Sequence, residues 1–151
     1  MAKYTNIEKL LQKVNKDLED VRTEFYKGLA TKLVEASYHA TDTGAYMASH
    51  NIGTDTKRAG YKSKEGDFKA RFVDKASVAD QALSRLHAEA EAVPGGAEKV
   101  YISNRSPHAK AVEYGGHNWK YTKPFSPFKI MRREAGRIMA DVVKEIKGRS
   151  Q

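Results

Sequence analysis

Residues 99–116 read KVYISNRSPHAKAVEYGG. Val100, Tyr101 and Ile102 are β-branched or aromatic and precede a polar break, the pattern of a short buried strand. Asn104 follows as a corner. Ser106 and Pro107 then read as a helix start, a hydroxyl N-cap ahead of a ring whose missing N–H is not needed in the first turn. Ala109, Ala111 and Val112 supply a small apolar face, Glu113 closes the turn, and Gly115–Gly116 stop it. A strand, a corner, one or two helical turns and a glycine exit are thus packed into one short junction.

Toward the N-terminus, Thr5-Asn6-Ile7-Glu8 fits a capping box. Apolar residues then recur at Ile7, Leu10, Leu11, Val14, Leu18, Val21, Phe25, Leu29, Leu33 and Val34, gaps of three and four that mark one helical stripe. The stripe lasts to about Ala36 or Tyr38. A helix of about thirty residues spans about 45 Å, more than a domain of this size needs for its own core. Either one end projects or docks on a neighbour, or the helix bends around its own body.

Between this helix and the 99–116 junction, Asp42-Thr43-Gly44 is a turn. Tyr46–Ile52 alternates weakly as a strand. Residues 53–66, GTDTKRAGYKSKEG, have no periodicity and read as a flexible arm suited to contacts. Phe68, Ala70 and Phe72 alternate with Lys69, Arg71 and Val73 as a half-buried strand. Asp74 or Ser77 caps a middle helix with Val78, Ala79, Ala82, Leu83, Leu86, Ala90 and Val93 on its apolar side, ended by Pro94-Gly95-Gly96. Beyond the junction comes an aromatic and basic connector at 117–123. Ser126-Pro127 then opens a last helix as Ser106-Pro107 opens the short one. Met131, Ala135, Ile138, Met139, Val142 and Ile146 are its stripe, with Gly148 near its end. The expected fold is α+β: a long N-terminal helix, a small mainly antiparallel sheet, a middle helix, a short helix and a C-terminal helix, in a single domain over 1–151.

The chain of 151 residues is large enough to bury a core. No apolar run approaches bilayer length and MAKYTNIEKLL lacks a signal-peptide apolar region, so neither membrane nor secretion is expected. Zero cysteines exclude disulfides and thiolate metal sites and fit synthesis in a cytoplasm. Of the net +8, residues 117–151 carry nine Lys/Arg against three Asp/Glu, hence +6. Such a segment is either a solvated helix face or a contact for a polyanion such as DNA.

His108, Glu113 and His117 are the best metal or catalytic candidates. Their gaps of five and four, broken by Gly115–Gly116, are not the one-face spacing of a ligand set. No phosphate-binding glycine loop and no nucleophile elbow is present, and nothing places a nucleophile beside Glu113. Tyr114, Trp119, Tyr121 and Phe125 interleave with His117, Lys120 and Lys123, a mixture that stacks on bases or anchors a protein interface. The reading is a non-enzyme with no cofactor and no metal.

The order of motifs resembles the tail-completion, or neck, proteins that join head to tail in long-tailed bacteriophages. The residues that carry the resemblance are Asp42-Thr43-Gly44 after the first helix, the strand end Ile102-Ser103-Asn104, the turn Pro107-His108-Ala109, Glu113-Tyr114-Gly115-Gly116, and Pro124 and Pro127 ahead of the last helix. The resemblance implies a structural virion protein assembled in the host cytoplasm as a homo-oligomeric ring, with a hexamer as the expected stoichiometry. Its implied partners are connector or stopper proteins and tail-tube or tail-terminator proteins, with DNA passing through the lumen without sequence preference. The alternative is a basic DNA-binding accessory protein.

Overall fold

A computed structural model describes residues 2–40, 45–54, 74–106, 109–115 and 124–149. The apolar stripe of the first helix forms α1, Ala2–Ser37, which at 36 residues is about 54 Å long. It runs back through Thr5, so the expected capping box lies inside the helix instead of at its start. A 3-10 turn at Tyr38–Ala40 follows.

The next segment departs from the expected strand over Tyr46–Ile52. Its first part is one helical turn, α2, Ala45–Ala48, and only His50–Gly53 is extended, as β1. The local turn wins because Ser49 N–H bonds back to the Tyr46 carbonyl at 3.2 Å. β1 pairs antiparallel with β2, Tyr101–Asn104, in the register His50↔Asn104 and Ile52↔Ile102. The strand expected at Val100–Ile102 therefore begins one residue later. It is also only half covered, with Tyr101 exposed.

α3, Lys75–Glu91, is capped by Asp74, whose carboxylate accepts from Ser77 N–H at 3.4 Å. α4, Ala109–Tyr114, and α5, Pro127–Arg149, complete the chain. α5 runs through Gly148, which is thus helical and not a terminator. The fold is α+β. The expected strand at 68–73, the 117–123 connector and all but the first two residues of the 53–66 arm lie outside the described residues.

α1 is the spine. On one side Ala30 and Val34 pack with Met47, Ile52, Ala82, Leu86 and Ala90 from α2, β1 and α3. On the other, Leu29 and Leu33 pack with Met131 of α5. The α1–α5 crossing is close at Gly28, where a β-carbon would sit 2.5 Å from Ile138 Cγ2. Arg22 ties α1 to the end of α3 by donating to the Pro94 and Gly95 carbonyls at 2.5 and 3.1 Å. All of these contacts involve the C-terminal part of α1, from about Glu19 onward.

Candidate functional site

Of the residues singled out by sequence, Asp42, Thr43, Gly44, Pro107, His108 and Gly116 lie outside the described residues. Asn104, Glu113 and Gly115 lie within them. Each of the three holds the junction around which the sequence is organised.

Asn104 ends β2 and joins three segments. Its side-chain oxygen accepts Ser106 N–H at 2.8 Å, which fixes the amide orientation. Its NH2 group then donates to the Tyr46 carbonyl at 2.8 Å and to His50 Nδ1 at 3.0 Å. His50 is fully buried, and its other nitrogen meets Ser37 Oγ at 2.7 Å. The Ser37 hydroxyl spends its proton on the Leu33 carbonyl at 2.6 Å, so Oγ accepts and His50 carries its proton on Nε2. Asn104 as donor to Nδ1 requires the same tautomer. Burial, and then the nearby Arg85 charge, push the His50 pKa down to about 3. The rings of Tyr46 and Phe128 stand edge-on to the imidazole at 5.0 and 5.7 Å. Serine, histidine and asparagine together resemble hydrolytic machinery in composition only. Here the histidine is enclosed, neutral and hydrogen-bonded through both nitrogens.

Glu113 is buried on α4, and its carboxylate reaches fifteen residues along the chain. Oε2 accepts Phe128 N–H and Oε1 accepts Lys129 N–H, both at 2.9 Å. The residue before α5 and the first three positions of the helix are thereby accounted for. Ser126 N–H bonds to the Val112 carbonyl, Pro127 has no N–H, and Glu113 takes the next two. The expected Ser126 hydroxyl cap is replaced by this carboxylate. Ser126 sits at φ 50 and donates its hydroxyl to the Glu113 carbonyl at 2.7 Å. Gly115, at φ 75, ends α4 with its N–H on the Ala111 carbonyl, a conformation that favours glycine. Glu113 also raises the Tyr46 pKa, after the larger effect of burial.

The metal reading of His108, Glu113 and His117 has only Glu113 within the described residues, and both of its oxygens hold backbone N–H groups. Among the described residues no group of three or more His, Asp or Glu side chains is placed to hold a metal ion. The described residues line at least two shallow grooves. One of about 170 Å³ lies between Ile52, Glu89 and Pro94, and one of about 450 Å³ lies between Glu24, Lys27, His87, Ile138 and Asp141. Neither is lined by His50 or Glu113.

The outer edge of β1 carries a device with no mark in the sequence. Ser49 accepts from Arg105 N–H at 3.3 Å, so alternate residues turn their backbone groups away from β2. Arg85 and Glu89, paired at 2.7 Å on α3, take those groups. Arg85 donates to the Ala48 and His50 carbonyls at 2.9 and 2.5 Å, and Glu89 accepts Ile52 N–H at 2.8 Å. A helix thus occupies the edge where another strand would add.

Among the described residues, most of the exposed large apolar side chains lie on the N-terminal half of α1. Ile7, Leu10, Leu11, Val14 and Leu18 are 46–63% exposed, although they continue the stripe that is buried further along the same helix. Of the two readings of this helix, projection is the one the fold adopts. Among the described residues no helix is long and apolar enough to cross a membrane. No family model, curated protein or solved structure matches the chain.

Proposed function

We propose that the chain is a non-enzymatic structural subunit of a tailed-phage virion, acting in a ring at the head–tail junction to join tail to head while DNA passes through. The observation that carries this reading is the division of α1. Its C-terminal half builds the core, and its N-terminal half leaves the body with five apolar side chains exposed. An isolated soluble protein gains nothing from such a face, whereas a subunit that is complete only in an assembly needs one. The resemblance in motif order described above supports a head–tail ring as the kind of assembly. A ring requires two different faces per subunit, and the 53–66 segment, which lacks core periodicity, is the second candidate contact.

Deleting residues 54–65 is expected to leave the purified subunit folded, with an unchanged cooperative melt, while abolishing head–tail joining when supplied to a phage lacking the gene. Normal joining by a folded deletion variant refutes the assignment of that segment. Failure of the wild-type gene to restore joining refutes the whole reading.

A DNA-binding accessory protein is the second reading, favoured by the exposed Lys129, Arg133, Lys144 and Lys147 of α5. It requires duplex binding that weakens steeply with salt in proportion to the phosphates neutralised. Three other arginines near this face are already near carboxylates. Arg132 lies 3.9 Å from Glu113, Arg137 lies 2.7 Å from Glu134, and Arg149 pairs with Glu145.

A further inference from the structure

We infer that the outward face of α5 binds the phosphate backbone of duplex nucleic acid without reading its sequence. Lys129, Arg133, Lys144 and Lys147 share the helix face opposite the buried Met131, Val142 and Ile146, and all four are exposed. Arg132 stands at the border of that face. Gly136 and Ala140 lie between the cations on the same face, and a β-carbon at Gly136 would meet nothing within 4 Å. The middle of the face is therefore open to close approach. The acids of α5 are kept off it. Glu134, Asp141 and Glu145 lie along one flank, where Arg137 reaches the first two at 2.7 and 3.9 Å and Arg149 pairs with the third. Glu134 feels Arg133 as well, but its pKa is lowered chiefly by the hydrogen bond from Arg137.

What the face lacks selects its occupant. Among the described residues, the exposed large apolar side chains belong to α1, β2 and α4, and α5 has none. A protein partner needs an apolar or aromatic anchor at the centre of the contact. A lipid surface takes up an apolar side, and a single strand of nucleic acid stacks its bases on aromatic rings. A duplex backbone asks only for fixed cations and room for phosphates to come close. From Lys129 to Lys147 the face is about 27 Å long, the length of about eight phosphates along one strand. The contact rests on the DNA-binding reading above and needs no ring.

The test titrates the full chain into a labelled mixed-sequence duplex and follows fluorescence anisotropy at several salt concentrations. Four neutralised phosphates give a slope of log affinity against log salt of about −3.6, a loss of roughly 100-fold from about 50 to about 200 mM salt. The variant Lys129→Gln, Arg133→Gln, Lys144→Gln, Lys147→Gln is expected to keep its far-UV spectrum and melt, since glutamine is a good helix former and none of the four is in the core. It is expected to lose most of the affinity and most of the slope. Lys9→Gln, Lys13→Gln, Lys16→Gln removes three exposed charges from α1 and is expected to change the slope little. A wild type that does not bind duplex overturns the DNA-binding reading and this contact together. A wild type that binds, with the α5 variant unchanged or the α1 variant equally weakened, overturns the assignment to α5 alone. Tighter binding of polyglutamate, phosphatidylserine vesicles or single-stranded DNA than of duplex at the same salt overturns the choice of partner.

Discussion

His50 shows how one residue couples the junction to pH. Unfolded, it titrates near the ordinary histidine value of 6.5; folded, it is held neutral down to about 3. The unfolded chain therefore binds the extra proton throughout that window, and stability falls as pH falls through it. Between pH 7 and pH 5 the expected loss is about 2 kcal/mol, measured by urea unfolding at the two pH values. His50→Gln should be less stable at pH 7 and should lose most of that pH dependence; an unchanged slope would place its origin elsewhere. Glu113 acts through geometry. Glu113→Gln keeps one acceptor but turns an NH2 group toward a helix N–H, and should cost about 2 kcal/mol in the same measurement. Ser126→Ala, which removes only the hydroxyl bond to the Glu113 carbonyl, should cost about 1 kcal/mol. Neither role was legible in the sequence. A buried histidine has no local signature, and a cap supplied from fifteen residues upstream is invisible to rules that look three residues ahead. What could be read was that Asn104, Glu113 and Gly115 belong to one tight junction.

The long helices were the most legible elements, because their stripes satisfy the 3.6-residue period over many turns. α3 follows its expected apolar side from Val78 to Ala90, with Ala82, Leu86 and Ala90 innermost, and ends at Glu91, before the expected Val93, which packs on the core from outside the helix. The short elements were less so. In Tyr46–Ile52 a weak alternation competes with a single helical turn, and backbone hydrogen bonds decide between them. Periodicity also cannot say whose surface a stripe will meet. Leu18 and Leu29 look alike in the sequence, yet one is exposed and the other packs on α5. The α1–α5 crossing offers a direct test at this scale. Alanine at Gly28 improves helix propensity by about 1 kcal/mol, but its methyl group would strike Ile138 Cγ2 at 2.5 Å. Overpacking of this kind typically costs about 1–3 kcal/mol, so Gly28→Ala should lower the melting temperature. Adding Ile138→Ala should make the Gly28→Ala change harmless or favourable, since the obstructing atom is then gone. Additive effects of the two substitutions would argue against a contact there.

At the scale of the whole molecule, the first helix is covered largely by the last. α1 makes its most extensive packing with α5, and the residues between them supply the other wall. During synthesis at about 5–20 residues per second, the N-terminal helix therefore leaves the ribosome many seconds before α5 is complete. Until then its Leu29 and Leu33 face is as bare as the exposed stretch at Leu11 and Leu18. Glu113 caps the start of α5, and α5 must form before α1 is sheltered on both sides. A nascent chain halted before residue 127 would display the whole stripe of α1 lacking its α5 cover, so the helix that organises the finished core is also the segment on which unfinished chains would stick together.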